Sequence, residues 1–461
     1  MRVVVVGAGV SGLAAAWALA GRADVLVLEA SPQVGGKLRI AEIAGLPVDV
    51  GAEAMLARRP EGVELATAAG LADSLIAPLT TSAWLSARGA SHPMPARTML
   101  GIPSDVGALR ASGVLSDSGL STVESEAAGP PVAPVTDDVA VGPFVRDRLG
   151  DEVVDRLVEP LLGGVYAGRA DDLSLCATMP ALAARLAKGG ASLVAAAREV
   201  TDVGARGPSD APVFASLSGG LGRLPLALAE SGRFRVRTGV TVRALRRTPA
   251  GFALDCGPVP SSELVEADAV IVATPPAKAA RLLSDVAPAG SAELSTVDTA
   301  SMAIVTLAYR DVTLPPGSGL LVASGEGMRV KAVTLSSQKW PGTPDGLILL
   351  RASVGRVGEN ADMQREDEDL IALVRRELRT LIGVDAGPVD ARVTRWGGGL
   401  PQYAVGHVEK VARIRAAVAR VPGLAVCGAT YDGVGIPACI AAARLAADQV
   451  LASLASASRG Q

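Results

Sequence analysis

Val3-Val4-Val5-Val6-Gly7-Ala8-Gly9-Val10-Ser11-Gly12, followed by Leu13-Ala14-Ala15-Ala16-Trp17-Ala18-Leu19-Ala20 and then by Val25-Leu26-Val27-Leu28-Glu29, decides how this chain folds. The valine run predicts a strand covered on both faces. The alanine- and leucine-rich segment predicts a helix. The second apolar run predicts a parallel neighbour that ends on an acid. Strand, G-x-G-x-x-G, helix, strand, acid is the order of a dinucleotide-binding βαβ unit, and each part has a task. Gly7 permits the tight turn, Gly9 lets backbone approach a pyrophosphate, and Gly12 lets the helix lie close to the strand. The helix start offers free N–H groups and a positive dipole end to phosphate. Glu29 can accept hydrogen bonds from ribose hydroxyls. The same glycines argue against a second reading of this segment. Residues 3–21 are uncharged and end in Ala18-Leu19-Ala20, which looks like a signal peptide or a short span. Gly7, Gly9, Ser11 and Gly12 interrupt that run where a nucleotide loop needs them, so neither a cleaved leader nor an integral span is expected.

The chain has 461 residues, enough for two or three domains. Its hydrophobic share of 49% and charged share of 20% are those of a globular protein. A net charge of −3 gives no footprint for nucleic acid. Cys176, Cys256, Cys427 and Cys439 form no C-x-x-C pair, and His92 and His407 are the two histidines, so no metal is expected.

Further along, residues 111–143 are rich in Ser, Gly, Pro and acids and read as a flexible surface loop. Residues 144–200 carry apolar residues at helical spacing. Residues 202–213, with Gly204, Gly207 and Pro208, read as another loop. Strand signals return at 234–256 and 268–276, several more fall in 301–354, and a charged helix is predicted at about 364–382. Near the end, Leu424 to Cys427 is a buried strand, Gly428 to Pro437 a glycine-rich loop, and Ala438 to Leu454 a helix. The C-terminus therefore repeats the strand, glycine loop and helix start of the N-terminus. Such a helix end places positive dipole charge where an anionic ring could use it.

After Glu29, the run Ala30 to Arg39 contains Gly35-Gly36-Lys37 and resembles the E-x-x-x-x-x-G-G-[RK] extension of the amine-oxidase-like flavoproteins. Asp49-Val50-Gly51-Ala52-Glu53-Ala54 resembles their next segment, which reaches the flavin. More specific strings follow: His92-Pro93-Met94-Pro95, Gly101-Ile102-Pro103, Glu159-Pro160-Leu161-Leu162-Gly163-Gly164-Val165-Tyr166-Ala167-Gly168, Lys339-Trp340-Pro341, Thr394-Arg395-Trp396, Leu400-Pro401-Gln402-Tyr403-Ala404-Val405-Gly406-His407 and Gly433-Val434-Gly435-Ile436-Pro437. Together they resemble the porphyrinogen oxidases of haem biosynthesis, in family order over nearly the whole chain. The Gram-positive-type coproporphyrinogen III oxidases are the nearer branch. The chain departs from the family with Ala52-Glu53-Ala54 for the frequent Pro-Asp-Ser, and with Ala438 for the usual Asp.

The resemblance implies an α/β fold in three parts: a discontinuous Rossmann-type FAD domain (1–75, 215–283 and 397–461), a mixed-sheet substrate domain (76–90, 196–214 and 284–396) and an inserted helical domain (91–195). It implies FAD contacts at Gly7, Ala8, Gly9, Val10, Ser11, Gly12, Glu29, Ala30, Gly36, Lys37, Gly51, Ala52, Glu53, Ala54, Val242, Trp396, Val434, Gly435 and Ile436. Arg97 and Tyr166 are the candidate substrate contacts, the first because a guanidinium pairs well with a carboxylate. The implied reaction is the six-electron oxidation of coproporphyrinogen III in a cytoplasmic enzyme, peripheral membrane contact being left open. O₂ would serve as acceptor, giving H₂O₂. No protein base is assigned, because the cofactor carries such chemistry. Protoporphyrinogen IX as substrate, another amine-oxidase-like flavoprotein, and a non-catalytic relative that binds a protein are the competing readings. A transient contact with another haem-pathway enzyme is left open.

Overall fold

The computed structural model describes residues 1–204, 212–344 and 346–459. A parallel sheet runs in the order Arg235–Arg237, Asp24–Leu28, Arg2–Val6, Ala269–Val272, Leu424–Val426. Both of its faces are covered. Val3, Val5, Val25, Val27 and Ile271 pack with the helices Val10–Leu19 and Ile436–Arg459. Val4, Val6, Leu26, Leu28 and Val272 pack under an antiparallel meander of Val242–Thr248, Gly251–Cys256 and Glu263–Ala267. Cover on both sides is why these strands read as unbroken apolar runs. The chain leaves and re-enters this sheet, so the dinucleotide fold is discontinuous.

A second, mixed sheet has the order Asp390–Pro401, Thr299–Arg310, Leu347–Val354, Val330–Thr334, Gly319–Val322, Ala83–Ala87, Ala90–Pro93. Gly319–Val322 and Ala83–Ala87 are its one parallel pair. Ala303, Val305, Leu307, Leu350, Ala352, Val354, Val330 and Val333 put one face of this sheet into a core closed by the helix Asp367–Ile382. The other face turns toward the dinucleotide fold and the helical part.

The helical part includes Val106–Ser112, Asp117–Ala128, Val141–Leu149, Glu159–Tyr166, Pro180–Leu186 and Leu193–Gly204. Pro160 has no N–H to give, and a π-helical turn at Val154–Val158 takes up the register just before it.

Residues 111–143 are not one flexible loop, contrary to expectation. Asp117–Ala128 is helical, and 130–139 is irregular. The helix has a single fully buried apolar residue, Val123, so no apolar period marks it. Its start is fixed by polar groups instead. Ser116 Oγ accepts from Gly119 N at 3.1 Å, and the Glu152 carboxylate accepts from Ser116 N at 2.8 Å and Ser116 Oγ at 2.6 Å. The 202–213 loop is also corrected in part. Residues 202–204 complete the helix Leu193–Gly204, held by its apolar face, while 205–211 lie outside the described residues.

Candidate active site

At the end of the first strand Gly7 has φ of 106°, and a Cβ there would lie 2.8 Å from the Ala273 carbonyl oxygen. A Cβ on Gly12 would lie 1.8 Å from the Gly7 oxygen. Both positions exclude any side chain. Gly9 is different: a Cβ built on it meets nothing nearer than Gly36 Cα at 4.0 Å, so the ground before the helix start is open. Gly9 also caps the helix without a side chain, leaving the first N–H groups of Val10, Ser11 and Gly12 with no side-chain acceptor. An open, donor-lined cradle of this kind fits a pyrophosphate.

Glu29 sits at the cradle's edge. Its carboxylate accepts from Ala8 N at 2.7 Å and Ser31 N at 2.8 Å, which fixes it beside exposed Ala30. Its carbonyl accepts from Val240 N at 2.8 Å and brings the strand that starts at Val242 alongside.

Gly51 closes the next wall. A Cβ on it would sit 2.0 Å from the Lys37 oxygen and 3.1 Å from Trp396 Cζ2. Ala52 N donates to the Lys37 carbonyl at 3.0 Å, and Trp396 Nε1 donates to the Val50 carbonyl at 3.2 Å. Burial lowers the pKa of the half-buried Lys37 amine, with the Cys439 thiol opposing. No hydrogen bond or ion pair engages that amine among the described residues. Cys439 lies in the first turn of Ile436–Arg459, next to Val434 and Gly435. The two glycine loops and helix starts thus meet around Lys37, and Trp396 and the 51–54 segment flank them.

Glu53 has a different task from the one sequence suggests. Its carboxylate is buried between Lys339 Nζ, at 2.7 Å, and the Arg351 guanidinium, which also donates to the Gly51 carbonyl. Burial works to raise this carboxyl, but Arg351 and Lys339 outweigh it and hold it at about 2. The side chain is spent on the sheet, so Glu53 itself can meet a ligand only through backbone. Lys339 and Arg351 were missed by sequence reasoning. The available signal was a lone cation in an apolar strand, Leu349-Leu350-Arg351-Ala352.

Register defines the sheet face opposite the helix Asp367–Ile382. Trp396 pairs with Met302, Thr394 with Ile304, Ile304 with Ser353, and Ser353 with Ala332. A row of part-polar side chains therefore runs across four strands, away from Trp396. The hydroxyls of Thr394 and Ser353 are buried with no hydrogen-bond partner, as is Arg351 Nε. Above this face the helix Glu159–Tyr166 exposes Gly164 and Val165.

Tyr166 is buried, its ring 5.4 Å from that of Tyr403, and burial pushes its hydroxyl up to about 12. Tyr403 stacks on His407 at 4.1 Å, and the His407 ring bonds the Thr430 carbonyl at 2.9 Å. Burial lowers the His407 pKa, which suits a packed histidine. This stack ties Tyr166 to the C-terminal glycine loop. Arg97 stands apart from the cradle. It has φ of 61°, is half-exposed and pairs with Asp202.

Residues 10–451 match the family model described as "Flavin containing amine oxidoreductase". A coproporphyrinogen III oxidase of Mycobacterium tuberculosis (strain H37Rv) is 39% identical over 455 residues, 98% of this chain and 97% of that one. One of Bacillus subtilis is 32% identical over 470 residues, 98% of each chain. The chain belongs to the flavin-containing amine oxidoreductases, on the coproporphyrinogen III oxidase branch. A solved chain from Exiguobacterium sp. 255-15, provisionally named a protoporphyrinogen oxidase, has a TM-score of 0.86 at 32% identity and 98% coverage of both. Wild-type putrescine oxidase, at 18% identity and a TM-score of 0.70, shares the fold. FAD is the cofactor of a flavoprotein of this branch, and the open cradle at Gly9 and the Lys37 amine, unpaired among the described residues, fit it.

Proposed function

We propose that this chain oxidises coproporphyrinogen III to coproporphyrin III in haem biosynthesis, with O₂ as acceptor. The observation that carries the reading is the end-to-end likeness, at up to 39% identity, to the coproporphyrinogen III oxidases. Aromatisation removes six electrons and six hydrogens, and three O₂ leave as three H₂O₂. Bound flavin supplies the two-electron acceptor chemistry.

The chain's own residues supply the place. Gly7 to Gly12 would hold the pyrophosphate, Glu29 the ribose, and the strand from Val242 the adenine edge. Lys37, the backbone of Gly51 to Ala54, Trp396 and Val434 to Ile436 would surround the ring. Two helix starts aim positive dipole ends at that place and would favour negative charge there. The sheet face and Gly164–Val165 enclose the substrate and exclude water. Tyr166 lines this enclosure, and Arg97 meets a substrate carboxylate by exchanging it for Asp202. The three-part division into FAD, substrate and helical domains given above belongs to the same reading.

We infer a cytoplasmic enzyme, with peripheral membrane contact left open. Among the described residues one helix, Ile436–Ser456, is long and apolar enough to cross a membrane, with a mean hydropathy of 1.4. Ile440, Ala443, Ala447 and Val450 put it in the core beside the first helix, which is the position of a packing helix.

The test is aerobic turnover of FAD-loaded protein with coproporphyrinogen III and protoporphyrinogen IX in parallel, following porphyrin fluorescence and H₂O₂. Faster oxidation of coproporphyrinogen III with three H₂O₂ per product is expected. Preference for protoporphyrinogen IX would overturn the substrate, and no turnover of either the whole reading.

A further inference from the structure

The polar row on the substrate-facing sheet ends at a pair of cations that nothing above uses. The register shift between Val330 and Ala332 leaves Lys331 as the extra residue of a bulge. Val330 and Val333 point into the core beneath, so the bulge turns Lys331 onto the same face as Ala332 and Ser353. Lys331 is 3% exposed, and its Nζ has one hydrogen bond, to the Gly163 carbonyl at 3.3 Å. Arg356 lies close enough to repel it. Arg356 Nε is buried with no acceptor, and its guanidinium makes no hydrogen bond or ion pair among the described residues.

The nearby carboxylates do not neutralise this pair. Glu359 favours the Lys331 charge through space but makes no ion pair with it among the described residues. Glu159 feels Arg356, yet its own bond goes to Ala170 N at 2.6 Å. Burial first, then Arg356, pull the Lys331 amine down to about 7. A buried lysine beside a half-buried arginine, with no bonded anion between them, costs stability that a hydrophobic pair would not.

Location says which anion would relieve them. From Thr394, two residue pairs along from Trp396, the row crosses three strand spacings to Ala332, about 14 Å. A tetrapyrrole seated over the row with its reacting carbon at the Trp396 end carries its peripheral carboxylates toward Lys331. We propose that Lys331, at the far end of the polar row from the flavin, and Arg356, just beyond the end of the neighbouring strand Leu347–Val354, form a carboxylate-binding site that takes a peripheral propionate of the substrate. The proposal rests on the porphyrinogen reading and adds a specificity-determining pair to it.

The test compares FAD-loaded wild type, Lys331→Met, Lys331→Arg and Arg356→Gln. Binding of coproporphyrin III and of its tetramethyl ester is followed by fluorescence, and turnover of coproporphyrinogen III by porphyrin formation. Lys331→Met and Arg356→Gln should each weaken tetra-acid binding roughly ten- to a hundredfold. KM should rise with kcat held, as for an interaction made equally in ground and transition states. Ester binding should be unchanged, Lys331→Arg should restore most of the affinity, and Lys331→Met should melt no lower than wild type. Equal weakening of acid and ester, or less than a twofold change in acid binding by both variants, would overturn the site. Wild type that binds neither porphyrin would remove the porphyrinogen reading, and this site with it.

Discussion

Glu53 shows how one buried charge can organise a site without touching the reacting atoms. Its carboxylate joins the 51–54 segment to the substrate sheet through Lys339 and Arg351. Glu53→Gln leaves both cations buried without their anion, and breaking a buried pair in this way costs about 3–5 kcal/mol. Urea unfolding of the FAD-loaded protein near neutral pH should show that loss, and a loss under about 1 kcal/mol would reject the clamp. The pH dependence has a fixed sign. The folded carboxyl sits at about 2, below its ordinary 4.5, so its contribution is whole above 4.5 and fades as pH falls toward 2. Wild type and Glu53→Gln should therefore converge in stability across that window. None of this was legible locally. The sequence shows Glu53 in a flavin-like segment, but its partners lie almost 300 residues away, and only the folded sheet brings them there. Gly7, Gly9, Gly12 and Glu29 were legible because their task is local: turn, approach, close packing and strand end lie within one βαβ unit.

Helices divide the same way. Val10–Leu19 announced itself through composition and through the glycines before it, whereas Asp117–Ala128 did not, because the capping Ser116 and Glu152 replace an apolar stripe. The first helix also carries the sharpest element-scale prediction. A methyl group at residue 12 meets the Gly7 carbonyl oxygen at 1.8 Å, so Gly12→Ala must push the helix start away from the strand. Overpacking of this kind costs about 1–3 kcal/mol, and here it also displaces the N–H groups that face the pyrophosphate. Gly12→Ala should purify with little flavin, read as the ratio of flavin to protein absorbance, while far-ultraviolet dichroism stays native. Full flavin content would show that the cradle tolerates the displacement. The second strand–glycine-loop–helix unit, ending in Ile436–Arg459, was legible by the same logic as the first. Its packing against Val10–Leu19 brings the two helix starts together.

At the scale of the molecule, the residues assigned to FAD come from five distant stretches: 7–12, 29–54, 242, 396 and 434–436. A ligand bound across all of them should act as a cross-brace between the parallel sheet, the substrate sheet and the C-terminal helix. Binding to the folded state alone adds about 2.7 kcal/mol at a free concentration 100 times Kd. Removing the flavin should thus lower Tm by a few degrees, restored by FAD and not by NAD. The cross-brace makes a stronger claim than the shift in Tm, because every stretch must respond together. Hydrogen exchange on the apoprotein with and without FAD should slow in residues 7–12, 36–39, 51–54 and 434–440 in one titration. The helix Asp367–Ile382 covers the far face of the substrate sheet and should not change. Slowing confined to residues 7–39 would mean that the N-terminal βαβ unit holds the flavin unaided. Trp396 and Val434 to Ile436 would then lose their assignment, and the meeting of the two helix starts would be a matter of packing alone.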